Sequence, residues 1–391
     1  MKNIEIALVM GDGSAPEMMR VACKIAKIAA VIDGINIQFI KTPMGWGAYQ
    51  KYGDTLPKKS LEKALEIGIV FFGAVGDPAL DNTIGVEKPE MKPETKVLLA
   101  LRSQMGLLLN FRPVVYYKEL AHLAQVRPER IPEQGIRQIW LRFLLQDSYF
   151  GSEDLREQIP PEVRERIGLW RKNVVTGDQL IVSDIAYYTR KVVEKYFRAA
   201  FSHARLMKLP LIVIDKANIM ARYVFWRKIA ERIGKKEFPD VPLSFQYVDA
   251  ANALLFDPVK LQGVIACGNE HGDILSDGAV AAMGSMGLMC SSAINPDNGK
   301  AMFEAGSGTA PTLAGKNIAN PLGRILTAAM MLRHIGAPKG AGAIETAVRE
   351  VLSNGSRTAD LFSAKRGDAD SIGLGTKEIG ELVLDRVLRQ R

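Results

Sequence analysis

The stretch Ile4-Glu5-Ile6-Ala7-Leu8-Val9-Met10-Gly11-Asp12-Gly13-Ser14-Ala15-Pro16-Glu17 decides the fold class. Its first seven residues, apolar apart from Glu5, read as a strand. Gly11 and Gly13 break it, and an amphipathic helical run follows from about Pro16 to Ile32. Working outward, Ile35 to Ile40 reads as a second strand, the sequence near Leu61 as a helix, and Ile69 to Gly73 as a third strand. Strands alternating with helices predict an α/β sheet with helices packed on it. The turn also places free backbone N–H groups at a helix start, where they suit an anion. It does not carry the Rossmann spacing of glycines, because Pro16 stands in the third glycine's place and has no N–H to donate. A non-Rossmann α/β fold is therefore expected.

The chain has 391 residues, enough for two lobes with a cleft between them. Apolar residues make up 47% and charged residues 24%, and no apolar run is long enough to cross a bilayer. The first residues read as a strand rather than a targeting segment, so a cytoplasmic protein is expected. Cys23, Cys267 and Cys290 form neither a CxxC pair nor a disulfide framework. The net charge of +8 is spread along the chain without an arginine-rich run or an aromatic-spaced RNA motif, which argues against a nucleic-acid partner. Small polyanions, such as carboxylates and phosphates, suit it better. From Ser152 to Asp178 the sequence is charged and contains Pro160-Pro161, and it reads as an arm or insertion outside the core.

Two groups of residues carry chemistry. In Gly272-Asp273-Ile274-Leu275-Ser276-Asp277, after the apolar run Gly263 to Cys267, a helix would set Asp273 and Asp277 on one face. Two hard oxygen ligands converging in this way suit Mg²⁺ or Mn²⁺. Taken alone, the hexapeptide reads equally as a helix cap beside a solvated carboxylate. The second group is Arg102, Arg112 and Arg142, each in largely apolar surroundings. Each guanidinium can clasp a carboxylate through paired hydrogen bonds. Singly, an arginine at a strand end is more often a surface or salt-bridge residue than a functional one.

The ordered motifs resemble those of the β-decarboxylating dehydrogenases, the isopropylmalate, homoisocitrate, tartrate/malate and isocitrate enzymes. They are GDGSAPE at 11–17, GAVGDP at 73–78, LLALR and NFRPV around Arg102 and Arg112, YFG at 149–151 and DKANIM at 215–220. VDAANALL at 248–255, GDILSD at 272–277 and GTAPTLAGKNIANP at 308–321 complete the set. The resemblance implies an isopropylmalate dehydrogenase-like two-domain fold, with a mixed central sheet and helices on both sides. Residues 1–107 and 285–391 would form a large cofactor-side domain; residues 108–284 would form a small domain with the metal site and dimer contacts, including an arm at about 152–182.

The same resemblance implies oxidative decarboxylation of a malate-type 2-hydroxy acid with NAD or NADP and Mg²⁺ or Mn²⁺. Arg102, Arg112 and Arg142 would bind substrate carboxylates, and Asp249, Asp273 and Asp277 would hold the metal. Tyr149 and Lys216 would be the acid–base pair. Lys216 and Asp249 would come from the partner of a homodimer. Asn269, Gly308, Thr309, Ala310, Thr312 and Asn320 would meet the cofactor. Leu98 and Leu99 would form an apolar wall for an alkyl substituent, favouring a 3-alkylmalate.

Several positions depart from the pattern. Thr95 stands where isopropylmalate enzymes usually have Glu, and Lys96 is open to two readings, a site for an extra anionic group or a solvated lysine. Phe143 replaces the usual Glu after Arg142, and Glu270-His271 replaces a less charged pair. Ser307 replaces His, and Thr312 replaces the Asp that in NAD-using relatives accepts hydrogen bonds from the ribose. Lys316 and Arg324 are the nearest cations in sequence for a 2′-phosphate. An isocitrate-, homoisocitrate- or tartrate-like substrate is the alternative, and a noncatalytic regulatory paralogue is the rival from another class. Against that rival stands the survival of Tyr149, Lys216, all three aspartates and all three arginines, because catalytic residues act as a unit.

Overall fold

A computed structural model describes residues 1–133, 135–150, 186–362 and 371–390; the arm expected at about 152–182 lies outside the described residues. The expected first strand is β1 (Lys2–Val9), and the helix after the glycine turn is Ala15–Ala30. Next come β2 (Ile35–Lys41), the helix Lys58–Ile67 and β3 (Ile69–Phe72). β4 (Leu109–Val114), β5 (Gln138–Phe143), β6 (Leu211–Asp215) and β7 (Leu243–Tyr247) follow. The last three strands of the main sheet are β8 (Gly263–Cys267), β9 (Cys290–Ile294) and β10 (Ala301–Ala305).

These ten strands form one sheet in the order β2-β1-β3-β10-β9-β4-β5-β8-β6-β7. Both flanks are parallel, whereas β9 runs antiparallel to β10 and to β4, and β4 runs antiparallel to β5. Helices cover both faces. On one flank Ala15–Ala30, Leu322–His334, Pro338–Ser353 and Thr376–Arg389 bury a core with Ile6, Phe71 and Phe303. The opposite face of that flank holds Ala7, Val70 and Met302 with Ala64 and Leu101. On the other flank, Arg190–Met207 and Ala221–Glu237 cover one face, and Val248–Leu254 and Asn269–Ala282 cover the other. Among the described residues no helix is long and apolar enough to cross a membrane.

This topology brings distant loops together. β1, β3 and β10 are parallel neighbours, so the segments after their C-terminal ends meet on one edge, as ligand-binding crevices of α/β sheets do. Gly11 sits at φ +79°, and a Cβ at this position would lie 2.3 Å from the Ala74 carbonyl oxygen, a distance no side chain tolerates. Asp12 is buried and accepts from the backbone N–H groups of Trp46, Gly47 and Gly76, each at 2.9 Å, which ties three loops together.

Phe143 explains one departure from the family pattern. It is fully buried, with the Tyr188, Tyr196 and Trp226 rings at centroid distances of 5.2, 5.1 and 5.5 Å. Phe143→Ala is expected to cost about 3–5 kcal/mol of stability. Phe143→Glu should cost at least as much, since the carboxylate would be buried among aromatic rings. Denaturant midpoints of the two variants check both expectations.

Candidate active site

Arg142, the last residue but one of β5, lies beside the end of β8, because the two strands are parallel and Arg142 is in register with Cys267. The chain leaves β8 through Gly268 and enters the helix Asn269–Ala282, so Asp273 and Asp277 do lie on a helix, well past its first residue. Arg112 lies on β4, next to β5, and on the same face as Asn110 two residues earlier. Arg102 lies in the helix Ala100–Gln104.

These side chains form one network. Arg112 donates from Nε to Asn110 Oδ1 at 2.9 Å, and from Nη1 to Ser276 Oγ and Asp277 Oδ1, both at 2.8 Å. Its Nη2 meets Asp273 Oδ1 at 2.9 Å. Arg142 donates to Asp273 Oδ1 and, from Nε, to Asn269 Oδ1 at 2.9 Å. Its guanidinium lies 5.3 Å from the centre of the Tyr149 ring, and Tyr149 Oη donates to Asp273 Oδ2 at 3.2 Å. Arg102 pairs with Glu304 at 2.9 Å. Among the described residues, Arg142 Nη2 and Arg102 Nε are buried donors with no hydrogen-bond partner.

Electrostatics follow from this crowding. Burial, together with Arg112 and Arg102, pushes the Arg142 pKa down to about 9, which leaves it charged at neutral pH. Burial opposes ionisation of Asp273, but the guanidiniums of Arg142, Arg112 and Arg102 outweigh it and hold the carboxyl below its ordinary range. At Asp277 burial prevails over Arg112, and its pKa is raised. Burial and the neighbouring Asp273 raise the pKa of Tyr149, so its hydroxyl keeps its proton.

Lys216 and Asp249 stand apart from this network. Lys216 follows β6 and donates to Asp249 Oδ1 at 2.5 Å, which lowers the Asp249 pKa. Among the described residues, no three acidic, His or Cys side chains of a single chain gather as a metal cage. Asp273 and Asp277 nevertheless fit a small hard cation as donors, since both present oxygens to the single Arg112 guanidinium.

On the cofactor side, Ser14 donates from its backbone N and from Oγ to the Thr309 carbonyl, at 2.8 and 2.9 Å, docking the 306–312 loop on the glycine turn. Gly308, Ala310 and Thr312 are exposed on that loop. Arg324 is fully buried and donates to the Ser307 carbonyl, so of the two nearby cations only Lys316 stays exposed. The Asn320 side chain donates to Asp360 at 2.9 Å and accepts from the Leu322 N–H. Asn269 is buried, and its amide donates to the Leu144 and Gln146 carbonyls besides accepting from Arg142, so its side chain holds Arg142 in place.

The family model described as isocitrate/isopropylmalate dehydrogenase matches residues 5–383. The chain belongs to the isocitrate/isopropylmalate dehydrogenase family. It is 35% identical to the 3-isopropylmalate dehydrogenase of Xanthomonas euvesicatoria pv. vesicatoria, over 97% of this chain and 99% of the relative. Identity to the enzyme of that name from Oleidesulfovibrio alaskensis is 37%, over 98% and 100%. Among solved structures, isocitrate dehydrogenase from Methylococcus capsulatus superposes with a TM-score of 0.76 at 29% identity, covering 98% of this chain and 99% of that one. A β-decarboxylating dehydrogenase from Thermococcus kodakarensis gives 0.73 at 26%, covering 99% and 96%.

Within this family member, the segment before Arg102 is unusual. Glu94–Leu99 forms a π-helical turn, which takes one residue more than an α-helical turn over the same rise. Counting back from Arg102 as if along an α-helix therefore falls one residue short. Glu94 lies beside Gly76. Leu98 and Leu99 are half-buried, with Leu98 packed on the cluster that contains Val97 and Leu101. Lys96 is partly exposed but not free, because it pairs with Asp54 at 2.6 Å.

Sequence reasoning missed Asn110, Ser276 and Glu304. Asn110 follows the strand period from Arg112, and Ser276 follows the helix period from Asp273, so both carried a signal. Glu304 is 202 residues from Arg102 and carried none.

Proposed function

We propose that this chain oxidatively decarboxylates a 3-alkylmalate of the 3-isopropylmalate kind, as a homodimer using NAD(P) and Mg²⁺ or Mn²⁺. The observation that carries the reading is the pair of buried guanidinium donors left unpartnered among the described residues, Arg142 Nη2 and Arg102 Nε, beside the Asp273–Asp277 face. A buried donor left unpaired is costly, and a bound carboxylate would satisfy it. Leu98 and Leu99 supply apolar surface for an alkyl group, and the relatives' name supports that substituent.

When bound, the nicotinamide would supply the hydride acceptor, and the divalent ion would supply positive charge at the substrate's hydroxyl and carboxylate oxygens. Asp273 and Asp277 would hold that ion with the partner subunit's Asp249. Arg102, Arg112 and Arg142 would orient the two malate carboxylates. The partner subunit's Lys216 would accept the hydroxyl proton on Nζ, and Tyr149 would donate its Oη proton to the carbon that loses CO₂. Exposed Ile219, near Lys216, and exposed Ile274, next to Asp273, are apolar surfaces that such a partner would cover. Domain boundaries near residues 107 and 285 belong to this reading, as does Glu94 rather than Thr95 facing the substituent.

Calorimetric titration with 3-isopropylmalate in the presence of Mg²⁺ tests the carrying observation. Arg142→Gln is expected to weaken binding about tenfold or more, the scale of a charge-assisted hydrogen bond. Undiminished affinity would contradict it.

For the cofactor, the proposal is weak discrimination between NAD and NADP. Exposed Thr312 offers no carboxylate to the ribose, and Arg324 is engaged with main-chain carbonyls. Thr312→Asp should shift specificity toward NAD by about 1–3 kcal/mol, or roughly tenfold or more in relative kcat/KM. An unchanged ratio would mean that residue 312 does not face the adenosine ribose.

A further inference from the structure

Side chains alternate across a strand, so the reverse face of the strands that carry the substrate arginines is a separate surface. Asn110 and Arg112 of β4 face Asp273 and Asp277. Phe111 and Pro113, between and after them, face a cavity of about 760 Å³. Ile139 of β5, Ser292 of β9 and Phe303 of β10 line the same cavity, and Met207 and Met330 close it from the helices Arg190–Met207 and Leu322–His334. Its size suits a small molecule, and its wall is mostly apolar with a few polar groups, as binding pockets generally are. At its edge Leu206 is 76% exposed, an apolar side chain left in water.

Charge on the wall is unbalanced. Arg333 is held by two hydrogen bonds to Glu345, and that pair is neutral overall. Arg349 lies with its guanidinium 5.4 Å from the centre of the Tyr117 ring, and no carboxylate pairs with it among the described residues. His203 packs on Phe111, and His334 shares its Nε2 with the Gly299 carbonyl; burial lowers the pKa of both, which keeps them neutral. The cavity thus combines an apolar body with one net positive charge at its rim.

We propose that this reverse-face cavity is a second ligand site, selective for a small amphipathic monocarboxylate with its chain among Phe111, Met207 and Met330 and its carboxylate at Arg349. Such a ligand would be separated from Arg112 by the thickness of one strand and would not overlap the substrate.

Octanoate and its uncharged counterpart 1-octanol are suitable probes, titrated calorimetrically into the full-length protein at neutral pH. One saturable octanoate site per chain is expected, with 1-octanol about tenfold weaker because it lacks the charge-assisted bond. Arg349→Gln should remove that difference. Met330→Trp should fill the cavity and abolish binding of both probes. Leu206→Glu changes an exposed residue and should keep the fold while weakening octanoate more than 1-octanol, so the test does not depend on Met330→Trp folding. Saturating 3-isopropylmalate should leave octanoate bound. Absence of saturable binding, equal affinity for the two probes, unchanged binding in Leu206→Glu or folded Met330→Trp, or one-for-one displacement by 3-isopropylmalate would each overturn the proposal.

Discussion

Asp273→Asn is expected to reduce kcat/KM about a thousandfold, the equivalent of roughly 4 kcal/mol of transition-state stabilisation. Asp273 is central to the site, since Arg112, Arg142 and Tyr149 all bond to its carboxylate. The amide keeps the size but loses the charge, and it places an N–H₂ donor among cations. The loss should exceed that of Asp277→Asn, whose carboxylate is more exposed and is bonded by Arg112. Steady-state kinetics at saturating Mg²⁺, with circular dichroism to verify folding, make the comparison. Equal kcat/KM for wild type and Asp273→Asn would remove this residue from the chemistry.

Lys216→Ala is expected to lower kcat by about 10²–10⁴-fold, the range of a lost general base. The sharper expectation concerns mixed dimers. Lys216 and Asp249 bond to each other and not to the Arg112–Asp273 network of their own chain. A dimer of one Lys216→Ala chain and one Arg112→Ala chain would contain one site with both lesions and one with neither. Mixing the two inactive proteins should therefore recover activity, up to half that of wild type per mixed dimer. No recovery despite subunit exchange verified by mass spectrometry would place Lys216 in the site of its own chain.

Much of this was legible in the sequence where local periodicity governs. The strand Lys2–Val9 and the helix Ala15–Ala30 follow from an apolar run, two glycines and a proline. The four-residue spacing of Asp273 and Asp277 places them on one helical face, and the structure has that helix. Long-range pairing was not legible. Nothing near Arg102 announces Glu304, and nothing near Arg324 announces that burial would turn it toward the Ser307 carbonyl. Asn269 was expected at the cofactor from the resemblance, yet its side chain is bonded to Arg142 and two main-chain carbonyls. The π-helical turn at Glu94–Leu99 escaped because apolar spacing does not distinguish one extra residue in a short helix.

The most direct test of oxidative decarboxylation is a coupled measurement of reduced nicotinamide and CO₂ from 3-isopropylmalate. It is run with NAD and with NADP, each with Mg²⁺ or Mn²⁺, and repeated with isocitrate, homoisocitrate and tartrate. The expected result is one CO₂ per reduced nicotinamide, no turnover after chelation, and the highest kcat/KM for 3-isopropylmalate. Binding of these acids without turnover under every combination would contradict the account and indicate a noncatalytic family member.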